Sequence, residues 1–178
     1  MIELTADRMS VFAEIMPIYI LGDFSLEPAQ KGFTISAPKE MALGSWVKSG
    51  LPFYSNQVAY QSDYHIDNLD ATYKLQVEDW KGSVAEVWVN GAKAGLIAWD
   101  PMELDITDHL KVGDNSVELR VTGTLKNTLG YHHRIQTGWI DSPSSWNQAP
   151  AQQPGGQDYI FFDYGLMGKL KLISQPHP

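Results

Sequence analysis

The chain has 178 residues, 43% of them apolar and 19% charged, with 15 Gly, 10 Pro and no Cys. That length suits one domain, which would bury about 70% of the surface its unfolded chain exposes. The net charge of −8 with 13 dispersed basic residues argues against nucleic acid, which needs clustered Lys and Arg, and the lack of cysteine excludes disulfides and thiolate metal sites.

Residues 1–16 read as a linker or a short N-terminal helix. Met9, Phe12, Ile15 and Met16 form a helical stripe, with Thr5 or Asp7 as N-cap and Pro17 as terminator. As a linker, the segment would mark the chain as a C-terminal module cut from a larger protein. The longest early apolar run, Ile15 to Leu21, contains Pro17 and falls far short of the ~20 residues that span a bilayer, so no membrane partner is expected. The basic region and long apolar core of a signal peptide are also missing from the start of the chain. Localisation is therefore open, an extracellular or periplasmic address following only if a parent protein is secreted.

Pro17 to Phe24 reads as a first strand and Phe33 to Ser36 as a second, closed by Pro38. Val58, Tyr60, Ser62, Tyr64 and Ile66 alternate on one side, and Tyr73, Leu75 and Val77 do so after the polar turn Asn68-Leu69-Asp70. Val84 to Val89, the turn Asn90-Gly91 and the apolar run Ala92 to Leu96 predict a hairpin. Leu104 to Thr107 and the alternating Val117, Leu119 and Val121 extend it into an expected β-meander, and Gly165 to Ile173 reads as the last strand. Eight to ten short strands with no long crossover helix imply two packed antiparallel sheets over residues 17–175.

The order V-W-V-N-G-x-x-x-G (Val87–Gly95), D-I-T (Asp105–Thr107) and L-K-x-G-x-N-x-V-x-L-x-V (Leu110–Val121) resembles the sugar-binding jelly-roll domain of family 2 and family 35 glycoside hydrolases, in the galactose-binding-like superfamily. Looser matches at G-L-P-F-Y (Gly50–Tyr54) and G-L-M-G-K-L-K-L (Gly165–Leu172) extend it from about Tyr19 to Leu172. The resemblance implies an all-β antiparallel jelly-roll sandwich that is non-catalytic and accessory to a glycosidase. Its implied partners are an oligo- or polysaccharide and the neighbouring catalytic domain of a parent protein. No cofactor is required by it, although many such sandwiches hold a structural calcium ion, for which Asp67, Asn68 and Asp70 would supply oxygens.

Residues 123–165 break the strand rhythm with a long loop rich in Gly, Pro, Ser, Gln and Asn that also holds many aromatics, and so long an insertion in a domain is usually functional. Sugars present apolar C–H faces fringed with hydroxyls, so a site needs an aromatic platform beside directional polar side chains. Tyr131, His132, His133, Arg134, Trp139, Trp146 and Asn147 are the candidate ligand-binding set, with Asn127, Gln136, Asp141 and Gln148 nearby. Trp46, Phe53, Tyr54 and Asn56 form a second candidate surface that packing explains better. Trp99 in Trp99-Asp100-Pro101 is expected to cap the core. His132-His133 lacks metal-ligand spacing, Asp105 and Asp108 fall in a turn, and no G-x-S-x-G or P-loop occurs. The alternative to carbohydrate binding is a structural sandwich that packs against and orients a catalytic domain without holding sugar itself.

Overall fold

A computed structural model describes residues 20–133 and 150–176. The strands are β1 (Ser25–Pro28), β2 (Phe33–Ser36), β3 (Gln57–Ile66), β4 (Ala71–Val77), β5 (Trp80–Lys81), β6 (Val84–Val89), β7 (Ala92–Ile97), β8 (Glu103–Asp105), β9 (Gly113–Thr122), β10 (Gly165–Leu166) and β11 (Leu170–Pro176), with a one-turn helix α1 (Lys126–Leu129). Among the described residues they form a four-stranded sheet ordered β3-β9-β6-β7 and a three-stranded sheet ordered β11-β4-β8, flanked by the pairs β1-β2 and β10-β5. Every strand pairing is antiparallel. The fold is the all-β sandwich that the alternation predicts.

The period of two decides which residues meet. Ala85, Val87 and Val89 on β6 stand opposite Val121, Leu119 and Val117 on β9, and all six are buried. Leu75 and Val77 from the other sheet join them, with Ile97, Ile106 and Leu166, in one core. A side chain on that face loses most of its contact with water, which for Val or Leu is worth about 1.5–3 kcal/mol.

Asn90 (φ 51°) and Gly91 (φ 83°) turn the chain between β6 and β7 with positive φ at both positions, the geometry of a tight hairpin turn. The expected meander does not continue from there. After β7 the chain crosses to the other sheet, where β8 pairs with β4, and β9 returns to lie on the far side of β6. The D-I-T motif makes this crossing possible: Asp105 Oδ1 accepts the Thr107 N–H (3.0 Å) and hydroxyl (2.6 Å), while Thr107 Oγ1 accepts the Tyr73 N–H (2.8 Å). Asp105 is thus a turn residue held to β4.

The two asparagines of the sequence motif are joined. Buried Asn115 accepts from Asn90 Nδ2 (2.9 Å) and the Lys111 N–H (2.9 Å) and donates to the carbonyls of Lys111 (2.7 Å) and Gly113 (2.9 Å). Asn90 Oδ1 in turn accepts the Ser116 N–H (3.2 Å). These bonds fasten the hairpin turn to the start of β9.

Two boundaries shift from the sequence reading. Within the first predicted strand, Ile20 to Phe24 are not extended ladder residues, and pairing begins at Ser25 opposite Ser36; Pro17 to Tyr19, like the helix or linker over 1–16, lie outside the described residues. The last predicted strand is divided between β10 and β11, because Gly165–Leu166 pairs with Trp80–Lys81 while Leu170 onward follows β4.

Candidate functional site

Of the candidate ligand-binding set, Tyr131, His132 and His133 are described, while Arg134, Trp139, Trp146 and Asn147 lie outside the described residues, as do Gln136, Asp141 and Gln148. The three that are placed follow α1 directly. Asn127 anchors that helix: buried to 2% exposure, its amide donates to the Phe162 carbonyl (2.7 Å) and accepts the Phe162 N–H (2.9 Å). Its role is to hold the returning segment 159–163 alongside, so that both ends of the long loop meet.

Where they meet, aromatic rings gather. Phe33 of β2, Phe53 of the G-L-P-F-Y segment, His132, Tyr159 and Phe161 make edge-on and stacked contacts with centroids 5.0–6.2 Å apart, spacings at which ring quadrupoles attract. His132 is fixed twice to Ile160, through Nδ1 to its carbonyl (3.1 Å) and through its own carbonyl to the Ile160 N–H (3.0 Å). Because the Ile160 carbonyl only accepts, Nδ1 is the donor.

Tyr131 and His133 meet beside this cluster with their rings tilted by 47° (centroids 5.1 Å). Together with Gly130, His132, Pro150, Pro154 and Tyr159 they line a cleft of about 170 Å³. His133 lines this cleft, and its Nε2 is buried with no hydrogen-bond partner among the described residues. A buried polar atom of that kind favours a polar ligand, since leaving it unpaired costs about 1–3 kcal/mol.

The remaining candidates resolve into scaffold or surface. Trp46 is 1% exposed, and its indole N–H donates to the Tyr60 hydroxyl (2.8 Å). The Gly165 and Gly123 positions press against its ring, where a Cβ would come within 2.9 and 2.7 Å of it; only glycine allows that approach. Trp88 lies on the outer face of the four-stranded sheet under the Arg120 guanidinium (4.0 Å). Trp99, expected to cap the core, is instead 78% exposed, because it falls in the bend after β7, two residues past Ile97, the last residue of the strand and the one turned inward at 2% exposure.

Asp67, Asn68 and Asp70 occupy the β3–β4 turn, where Asn68 accepts from the Asp70 N–H (3.1 Å) and the Tyr73 hydroxyl (2.8 Å). Among the described residues no group of three or more His, Asp or Glu converges as metal ligands would.

A second concavity was not legible in the sequence. Met41, Leu43, Ala59 to Tyr64, Leu166, Lys169 and Leu170 line a groove of about 580 Å³ between β3 and the β10–β11 segment. The Tyr64 hydroxyl donates to the Leu170 carbonyl (3.1 Å), and burial pushes its phenol pKa up, a hydrogen bond from Ser62 partly opposing this. The only sequence signal was the alternation of Tyr60, Ser62 and Tyr64, which places all three on one face.

No protein-family model matches the chain. It is 30% identical over 181 residues to a Formosa agariphila protein provisionally assigned as a β-glucuronidase, the match covering 88% of this chain and 15% of that protein. Its fold superposes on a rhamnosidase from Novosphingobium sp. PP1Y with a TM-score of 0.52 and 21% identity, over 93% of this chain and 16% of that one. A Bifidobacterium dentium β-glucuronidase gives a TM-score of 0.46 with 18% identity, over 86% of this chain and 29% of that one. The chain is an antiparallel β-sandwich, and it spans about 15% of the length of the curated relative it matches. It resembles the sugar-binding domain of family 2 glycoside hydrolases and matches a small part of such enzymes.

Proposed function

We propose that this sandwich is a non-catalytic accessory module of a larger glycoside hydrolase and that it holds carbohydrate at the cleft formed by Tyr131, His132 and His133. The observation that carries the reading is His133, which lines that cleft with its Nε2 buried and without a partner among the described residues, beside the half-buried ring of Tyr159. A hydroxyl satisfies the nitrogen while the sugar's C–H face meets the aromatic wall. Arg134, Trp139, Trp146 and Asn147 are proposed as further contacts from the same loop. The names of the similar proteins, a β-glucuronidase and a rhamnosidase, make glucuronides and rhamnosides the first ligands to try. Calorimetry with those and with plant oligosaccharides tests the reading: saturable heats that His133→Ala reduces support it, and silence from a folded protein across the panel counts against it.

A second reading has its own observation. Leu96 (52% exposed) and Trp99 (78% exposed) follow one another on and just beyond β7, the outer strand of its sheet among the described residues. An apolar pair so exposed suits a contact with the neighbouring catalytic domain, which the module would then orient. Protection of Trp99 from solvent quenching in the parent protein, absent in this chain alone, is the expected result.

A further inference from the structure

The groove between β3 and β10–β11 shares no lining residue with the Tyr131–His133 cleft and is more than three times its volume, about 580 against 170 Å³. We propose that this groove is a second carbohydrate site, taking a short neutral oligosaccharide; the inference rests on the reading of the domain as a carbohydrate-binding module.

Its inner wall is mainly apolar, with Ser62 between the two tyrosines, and is already fixed in place. Tyr60 and Tyr64 project from the same face of β3, and both phenol oxygens are engaged: that of Tyr60 accepts the Trp46 indole N–H (2.8 Å) and the Leu166 N–H (3.2 Å), and that of Tyr64 donates to the Leu170 carbonyl (3.1 Å). What these residues offer a ligand is ring surface, continued by Met41, Leu43 and Leu170. The rim is polar. Gln61 donates to Asp63 (3.4 Å), leaving its own carbonyl and the second Asp63 oxygen as acceptors, and the Lys169 ammonium supplies donors, with no ion pair to it among the described residues.

An apolar wall facing a rim of mixed donors and acceptors matches a sugar ring, whose C–H faces are apolar and whose hydroxyls both give and take hydrogen bonds. A purely apolar ligand would strand the rim. A polyanion would meet Asp63 in the groove and the net charge of −8 beyond it, so the ligand is neutral. The volume lies within the 300–1,000 Å³ typical of small-ligand pockets.

Amide chemical shifts of this chain, followed during titration with neutral oligosaccharides and with uronate-bearing ones, test the proposal. A neutral ligand is expected to move the signals of residues 59–64 and 169–170, and Lys169→Met combined with Gln61→Leu to weaken that binding about tenfold or more, the effect of losing one charge-assisted hydrogen bond. Both changed residues are exposed, and an otherwise unshifted spectrum confirms that the variant is folded. His133→Ala should leave the groove signals responsive. Shifts confined to residues 131–133 and 159, with the groove variant binding as the parent does, overturn the second site and leave the cleft reading standing. A groove that responds only to uronates overturns its neutral specificity, and silence at both places overturns carbohydrate binding altogether.

Discussion

Replacing Tyr60 with Phe removes one oxygen and keeps the ring. That oxygen accepts two donors, the Trp46 indole N–H at 2.8 Å and the Leu166 N–H at 3.2 Å, on residues each exposed by only 1%. Neither finds another partner without moving, so the variant buries two unpaired donors at about 1–3 kcal/mol each. Allowing for some relaxation, the expected loss is about 2–4 kcal/mol, a large share of the 5–15 kcal/mol typical of a domain. At 2–4 °C per kcal/mol for this size, the melting temperature should fall by about 4–16 °C. Urea unfolding at unchanged m-value gives the energy, and hydrogen exchange at the Leu166 amide gives the location. A loss below about 0.5 kcal/mol, or an unaltered Leu166 exchange rate, would refute the brace. Because the ring still lines the groove, glycan affinity there should survive within a few-fold when measured well below the melting point.

Trp99→Ala should change stability by no more than about 0.5 kcal/mol, since the side chain is 78% exposed and buries little; a loss of several kcal/mol in urea unfolding would restore it to the core. Asn115→Ala strands the donors and acceptors it joins at Asn90, Lys111 and Gly113, for an expected cost of about 3–5 kcal/mol, which calorimetric melting measures. His65 is held above its ordinary pKa of 6.5, first by its hydrogen bond to Asp114 and then by the charges of Asp114 and Asp67. Its stabilising contribution is therefore complete below pH 6.5 and fades as pH rises through the raised value. Imidazole resonances should titrate lower in Asp114→Asn, and an unchanged midpoint would remove the pairing.

The two packed sheets were legible because their interior faces are written in period two. Val117, Leu119 and Val121 alternate without a break, and each faces a partner on β6. The crossing of β8 to the opposite sheet was not, because Leu104-Asp105-Ile106 reads the same whichever neighbour it pairs with; the deciding contact is the Thr107 bond to Tyr73, 34 residues away. The exposure of Trp99 was illegible for a related reason, since apolarity alone does not say on which side of a turn a residue falls. At the candidate site Tyr131, His132 and His133 stood out by composition, but nothing in the sequence signalled that Phe53 would pack with His132 and Phe33 with Phe53. The groove was hidden further still, its wall and rim being drawn from three separated segments.

Trp46 links both concavities to one rigid brace. Its ring packs against Tyr54 (centroids 5.8 Å) and Tyr164 (6.1 Å). Tyr54 adjoins Phe53 of the aromatic cluster beside the cleft, and the Tyr164 hydroxyl bonds Thr124 (2.6 Å) at the entry to the long loop. The indole N–H meanwhile fixes Tyr60 in the groove. Side chains held in this way lose little freedom when a ligand arrives, so weak polar contacts retain more of their value as affinity. The same rigidity separates the two sites: with a packed tryptophan between them that has no room to turn beside Gly123 and Gly165, occupation of the groove should add to occupation of the cleft without altering its affinity.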